Sequence, residues 1–411
     1  MNILFDFITV SLKTGAGEYH RKVFFSLLDY ISLHNINLKL YCLWDSTKGI
    51  KYQDLTPENF INDNRILFID ICKEGKFSSI IHKYQINKFF IACSHYIGLY
   101  DDIKEIDCQC ICVIHDLCDK EFEENYLDII VQLEKPSFYF NKKQDGGWKV
   151  YFNWNGSTMK FVRWLLGKRR RNISDNRMRN IYSLIKNNPN VSIITVSEYT
   201  RNSLSYYYDI EYDQISVFYS PSRIISYKSE SSPNKELDNI INSGKKYYLM
   251  VNAGRGGKNP HKMLRAFERF SRENKNCYIL TIGCKYKMFK NHLILPFLND
   301  YDLDKAYKNC YALLYPSYFE GFGYPPIEAM KYGKPIMASN VTSIPEILGN
   351  SAIYFSPFFV SDIYKALKQL NENNYHLYTE KSKQQYNLIH SRQETDLNKL
   401  IVKIISNEQN N

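Results

Sequence analysis

Two glutamates, Glu320 and Glu328, stand on either side of Gly321-Phe322-Gly323-Tyr324-Pro325-Pro326-Ile327. A carboxylate beside a sugar is most useful as an acceptor for hydroxyl groups, so this pair, framing a glycine-bearing turn, has the makings of a carbohydrate or ribose grip. A second cluster reads Ala253-Gly254-Arg255-Gly256-Gly257-Lys258-Asn259-Pro260. Its glycines allow close backbone approach and present N–H groups, while Arg255 and Lys258 bring charge, a combination suited to a diphosphate. Two further sites end apolar runs: His115-Asp116 after residues 110–114, and Thr14-Gly15-Ala16-Gly17 after Ile3-Leu4-Phe5-Asp6-Phe7. Each also has a plainer reading, as a solvated loop, a satisfied strand-end histidine or an ordinary strand-to-helix turn.

The elements that must hold these residues follow from the apolar pattern. Tyr311-Ala312-Leu313-Leu314-Tyr315-Pro316 reads as a short buried strand ahead of Glu320. Pro325 and Pro326 fit a first helical turn, which places Glu328 in that turn and Glu320 in the loop, and Gly333 suits the helix end. A helix start after a glycine-bearing turn offers N–H groups and a positive dipole end to a phosphate. The same strand, loop and helix order recurs at residues 247–270, where a strand runs into the Arg255 and Lys258 cluster. It recurs at the chain start, where Gly15, Ala16 and Gly17 read as a turn before a helix over residues 18–31. Strand-like runs at residues 38–43, 66–69, 88–92, 110–114 and 191–197, with helical text between, predict a doubly wound parallel sheet whose ligands sit at the strands' carboxyl ends. The run at 191–197 reads as the last strand of the first domain, and Lys228-Ser229-Glu230-Ser231-Ser232-Pro233-Asn234 as the linker. Ser343-Ile344-Pro345-Glu346 has the spacing of a capping box, with a second helix start near the phosphates as the lesser reading, and the text after Ser361 is helical and charged.

At 411 residues and 44% apolar content, the chain is long enough for two domains with their own cores. Ten cysteines have no zinc-like spacing, and alternating Cys108, Cys110 and Cys112 share one strand face, as buried reduced thiols of a cytoplasmic protein do. Asp6 interrupts the first apolar run, which is unlike a signal peptide, and no run approaches the ~20 apolar residues of a membrane span. A formal net charge of +10 points to an anionic partner. No internal repeat is visible.

Residues 316–349, PSYFEGFGYPPIEAMKYGKPIMASNVTSIPEILG, resemble the signature of the retaining glycosyltransferases of family 4, mannosyl- and rhamnosyltransferase-like members in particular. The resemblance implies a GT-B fold: two Rossmann-like α/β domains facing a cleft, here residues 1–225 and 240–385, with 386–411 a C-terminal helix crossing back to the first domain. It implies transfer of a hexose, with retention, from a nucleoside diphosphate to an acceptor hydroxyl, by a bacterial enzyme of surface-polysaccharide or lipopolysaccharide assembly. GDP- or dTDP-linked donors are favoured, with UDP possible. By the same resemblance Glu320 contacts the donor sugar and Glu328 the ribose, while Gly254, Gly321, Phe322, Gly323 and Tyr324 line the donor. Arg255 and Lys258 take the pyrophosphate, although Arg255 lies three residues before the lysine where the family commonly spaces them by five. His115 reaches the sugar, Phe297-Leu298 lies where relatives hold the base, and Gly15, Ala16 and Gly17 face the cleft. No cofactor is implied. No Asp-x-Asp motif stands at a nucleotide site, so no metal is expected.

Residues 138–172 read as an insert in the first domain. Residues 142–171 hold three of the chain's four tryptophans, Trp148, Trp154 and Trp164, and nine basic residues against Asp145 alone. Ser157 is placed to cap a helix over 158–166. Aromatic and basic residues together suit an anionic bilayer, which would put the protein at the cytoplasmic face of the inner membrane, near a lipid-linked acceptor. Nucleic acid is not the expected partner. The alternative from another class is a non-catalytic Rossmann-like nucleotide- or dinucleotide-binding protein. It needs an acidic residue about 20 positions past the Gly15–Gly17 loop, and Asp29 comes too early.

Overall fold

A computed structural model describes residues 1–11, 14–48, 52–56, 60, 63–75, 77–91, 107–121, 138–142, 148–152, 182, 185–224 and 233–406. The described residues fall into two compact units. Unit 1 lies within Met1–Leu117, Asn172–Ile224 and His390–Asn411, and unit 2 within Cys118–Arg171 and Ile225–Ile389.

Unit 1 is built on a seven-stranded parallel sheet in the order β3-β2-β1-β4-β5-β8-β9. The strands are β1 (Asn2–Asp6), β2 (Lys39–Trp44), β3 (Ile66–Asp70), β4 (Lys88–Ile91), β5 (Gln109–Ile114), β8 (Val191–Thr195) and β9 (Ile215–Val217). Their near-continuous apolar text is what a parallel sheet covered on both faces requires. Phe5 stacks on Phe90 with centroids 5.1 Å apart and meets Phe24 of the first helix at 5.2 Å. Burial of each such ring contributes about 1.5–3 kcal/mol. The run at 191–197 is not the last strand of this sheet: β9 adds outside it, because Ile215 and Val217 are buried beside Ile193 and Thr195.

The glycines at the chain start are not a turn. The first helix runs Gly15–Leu33, so Gly15, Ala16 and Gly17 form its opening turn, and Thr14 caps it by accepting the Gly17 N–H at 3.3 Å. The threonine cap outweighs the low helix propensity of two glycines.

Unit 2 holds a six-stranded parallel sheet, β12-β11-β10-β13-β14-β15. Its strands are β10 (Lys246–Met250), β11 (Cys277–Ile282), β12 (His292–Leu295), β13 (Ala312–Tyr315), β14 (Ile336–Ser339) and β15 (Ala352–Phe355). Met263, Leu264, Ala266, Phe267 and Phe270 of the helix Pro260–Glu273 are buried against it. A separate antiparallel hairpin pairs β6 (Phe138–Lys142) with β7 (Trp148–Phe152). The helix expected over 158–166 lies outside the described residues.

The last helix, Glu372–Ile405, contributes to both units. In unit 2, Ser382 Oγ donates to the Lys334 carbonyl at 2.8 Å and Gln385 Nε2 to the Ile347 carbonyl at 2.7 Å. In unit 1, Asp396 accepts the Tyr219 N–H at 3.0 Å, and buried Lys88 donates to the Lys403 carbonyl at 2.9 Å near the helix end. A cation at that end also suits the helix dipole. No described helix is long and apolar enough to cross a membrane.

Candidate active site

In unit 2 the strand order reverses direction between β10 and β13, the position at which open α/β sheets place ligands. The loop after β10 carries Lys258 and the loop after β13 carries Glu320. Their side chains form an ion pair across that reversal, both largely buried at 18% and 13% exposure. The two loops are also joined through their backbones, since the Tyr318 N–H donates to the Gly257 carbonyl at 3.0 Å. Beneath the pair lies Tyr315, with Lys258 Nζ 5.5 Å from its ring centroid. Burial, with the charge of Glu320 adding to it, pushes the Tyr315 phenol well above its ordinary pKa and keeps it neutral.

Arg255 is exposed on the same loop, and its N–H is held by the Asn252 carbonyl at 3.1 Å. Gly254 is required by a neighbouring strand end: a Cβ there would lie 2.4 Å from the Gly283 carbonyl oxygen, after β11. Phe297, after β12, is 67% exposed and lays its ring over Gly283, where a Cβ would meet it at 3.0 Å. Gly254, Gly283 and Phe297 thus follow three adjacent strands, β10, β11 and β12. Leu298 is half-buried next in the chain.

The helix after Glu320 differs from expectation in two respects. It spans Tyr324–Met330, so Glu328 is its fifth residue and lies beyond the first turn. Gly323, at φ 102°, enters it without a side-chain cap, and the prolines occupy the second and third positions. Two of the first-turn N–H groups are therefore missing, and this helix start is a poorer anion seat than its position indicated. Phe322 is buried, while Gly321, Tyr324 and Glu328 are half-buried.

Ser343 does not form a capping box. It has helical dihedrals and makes no cap bond; its hydroxyl donates instead to the Glu320 carbonyl at 2.8 Å. Its neighbour Thr342 accepts the Glu320 N–H on Oγ1 at 3.2 Å. From the sequence neither Thr342 nor Tyr315 is singled out for the site, and Ser343 reads first as a cap, with a helix start near the phosphates as the lesser reading. The Ser-x-x-Glu spacing fits a cap equally well, and only the crossing of two loops reveals the other use.

An Asp-x-Asp spacing does occur at Asp302-Leu303-Asp304, in the helix Asp300–Asn309. Asp302 is buried and accepts the Asn234 N–H at 3.2 Å, and Asp304 takes the Tyr332 hydroxyl at 2.6 Å. These carboxylates fasten helices together. Among the described residues no cluster of three or more His, Cys, Asp or Glu is arranged to hold a metal ion.

His115 belongs to unit 1. It follows β5, half-buried, with its ring edge-on to Tyr19 at 4.8 Å and 6.3 Å from His20. Tyr19 and His20 stand in the helix opened by Gly15, Ala16 and Gly17, so His115 lies beside the first turns of that helix. His20 is fully buried, its Nδ1 2.7 Å from the Ala16 carbonyl, and burial holds it well below the usual histidine pKa. Asp6 lies 3.7 Å from the other ring nitrogen. Burial raises the Asp6 carboxyl to about 7 despite hydrogen bonds from Thr9.

The site in unit 2 lies at the loop ends of an open parallel α/β sheet. Residues 231–388 match the family described as glycosyl transferases group 1. The O-antigen chain mannosyltransferase RfbU of Salmonella typhimurium is 29% identical over 194 residues, 44% of this chain and 51% of that protein. The chain thus spans about half the length of this curated relative. Among solved structures, Anabaena HepE in complex with UDP-glucose superposes with a TM-score of 0.61 at 12% identity, covering 99% of this chain and 100% of that one. WaaG, a glycosyltransferase of lipopolysaccharide biosynthesis, superposes with a TM-score of 0.59 at 12% identity, over 99% and 100% of the two chains. The fold is the two-domain α/β fold of GT-B glycosyltransferases.

Proposed function

We propose that this chain is a retaining family 4 glycosyltransferase that moves a hexose from a nucleoside-diphosphate sugar to an acceptor hydroxyl in bacterial O-antigen or similar polysaccharide assembly. The observation that carries the reading is the Lys258–Glu320 pair across the β10/β13 reversal, inside the region that matches the family. The bond from the anomeric carbon to the diphosphate oxygen breaks and one to the acceptor oxygen forms on the same face. The acceptor proton passes to the departing phosphate. Lys258 and Arg255 stabilise charge developing on the diphosphate, and Glu320 accepts hydrogen bonds from the sugar. The relative's name favours a mannosyl donor, hence GDP-linked, with dTDP- and UDP-sugars as competitors. A thermal-shift panel of GDP, dTDP and UDP tests this: GDP is expected to stabilise the protein most, and no response to any of the three would overturn the nucleotide reading.

Glu328 is the proposed ribose ligand. Although it is the fifth residue of its helix, it is half-buried on the same loop-helix unit as Glu320. Glu328→Ala is expected to weaken nucleoside-diphosphate binding by about 1.5–3 kcal/mol, the worth of charged hydrogen bonds. Calorimetry on the folded variant measures this, and unchanged affinity excludes the role.

Catalysis is proposed to need no divalent metal, which the use of Asp302 and Asp304 as helix fasteners supports. Turnover is expected to persist in EDTA; loss in EDTA with recovery in magnesium or manganese would refute it.

The basic and aromatic residues 142–171 are proposed to dock on an anionic membrane surface that carries a lipid-linked acceptor. Each basic residue there adds about 1 kcal/mol. The protein is expected to sediment with anionic vesicles and release at high salt, and a variant with Arg169, Arg170 and Arg171 changed to Glu to stay in solution. Equal sedimentation of the two proteins would exclude this segment.

A further inference from the structure

Glu320 sits in a loop, and a loop carboxylate needs its backbone held if its oxygens are to meet a sugar repeatedly in one geometry. The residues holding it come from a different loop, more than twenty positions on in the chain. Thr342 Oγ1 accepts the Glu320 N–H at 3.2 Å and Ser343 Oγ donates to the Glu320 carbonyl at 2.8 Å, so both backbone polar groups of this one residue are tied to consecutive hydroxyls.

Two details show that this arrangement is maintained against local preference. Thr342 has φ 53°, in the left-handed region that a β-branched residue rarely adopts. Ser343 opens the helix Ile344–Leu348 yet its side chain makes no bond to the helix N–H groups, although serine is a favoured cap. Its hydroxyl is fully buried and committed to the Glu320 loop, and the Phe322 carbonyl lies 3.5 Å away as a second, longer contact. On the other side of Glu320, the side chain is paired with Lys258. The glutamate is thus held by its backbone from the β14 loop and by its carboxylate from the β10 loop.

We propose that Thr342 and Ser343 are positioning residues for sugar transfer, acting through Glu320 and touching neither nucleotide nor sugar. The inference rests on the reading of Glu320 as the sugar-facing carboxylate. It separates two properties that a structural role would not separate: the hydroxyls support turnover while nucleotide affinity is independent of them.

The test uses the full chain and, without acceptor, hydrolysis of whichever of GDP-mannose, dTDP-rhamnose and UDP-glucose the wild type cleaves fastest. Thr342→Val removes the acceptor oxygen at constant shape. It is expected to lower kcat about tenfold, the effect of a lost backbone tether that lets the carboxylate wander, with KM and the calorimetric Kd for the free nucleoside diphosphate within about twofold of wild type. Thr342→Ser keeps the hydroxyl and is expected to restore kcat. Ser343→Ala, accepted if it melts cooperatively, is expected to behave as Thr342→Val. In a Glu320→Gln background the Thr342→Val change is expected to have little further effect, because the residue it positions has already lost its charge. Wild-type kcat in Thr342→Val, or an equal tenfold loss in both backgrounds, overturns the inference and leaves the role of Glu320 standing. Unchanged kcat in Glu320→Gln alone, or no hydrolysis of any donor by wild type, removes the reading beneath it, and the inference falls with it.

Discussion

Lys258→Ala is expected to damage both nucleotide binding and turnover. Lys258 stands on the loop after β10, paired with Glu320, and is the residue proposed to meet the diphosphate. Removing a charged hydrogen bond costs about 1.5–3 kcal/mol of affinity, roughly ten- to more than a hundredfold in Kd. Turnover should fall further, by roughly two to three orders of magnitude, because the charge on the leaving diphosphate is greatest in the transition state. A second effect has the same sign. Glu320 is largely buried and paired to Lys258, so the alanine leaves a carboxylate without its counter-charge beside the anionic donor. Calorimetry with a nucleoside diphosphate and steady-state hydrolysis of the sugar nucleotide measure the two quantities. Unchanged affinity in a folded variant would remove Lys258 from the diphosphate site.

Glu320→Gln is expected to separate what Lys258→Ala combines. Glutamine keeps the length of the side chain and one acceptor oxygen but removes the charge. Free nucleoside diphosphate carries no sugar, so its Kd should stay within about twofold, while turnover falls by about a hundredfold. The loss of the ion pair also frees Lys258, which then has no competitor for the diphosphate. A modest tightening of nucleotide affinity is therefore compatible with the assignment. Equal losses of nucleotide affinity in Glu320→Gln and Lys258→Ala would show that the two residues do not divide sugar and diphosphate between them.

The unit 1 residues illustrate a different kind of constraint. Asp6 and His20 are fully buried near His115, and burial moves their pKa values in opposite directions, the carboxyl up and the imidazole down. Burial penalises charge on each, whatever its sign. Beside them Tyr19 lies edge-on to His115 at 4.8 Å.

The sequence alone determined the local alternation of strand, polar loop and helix. Parallel strands buried on both faces must be apolar throughout, and that requirement is visible without coordinates. It also placed Lys258 and Glu320 in the loops that follow apolar strands, because glycine-bearing polar text after an apolar run leaves the sheet. Local competition blurred the details. Thr14 draws Gly15, Ala16 and Gly17 into a helix that their composition argues against, and two prolines after Gly323 set a helix start that puts Glu328 past the first turn. What the tertiary structure alone decided is which loops meet. The order of β10 and β13 sets Lys258 against Glu320 across 62 positions of chain, and the adjacency of β13 and β14 turns a Ser-x-x-Glu cap signal into a hydroxyl clamp on Glu320. Periodicity reports what each segment buries, but the pairing order of strands depends on long-range packing, so the residues that hold a site from another loop become visible only once the sheet is assembled.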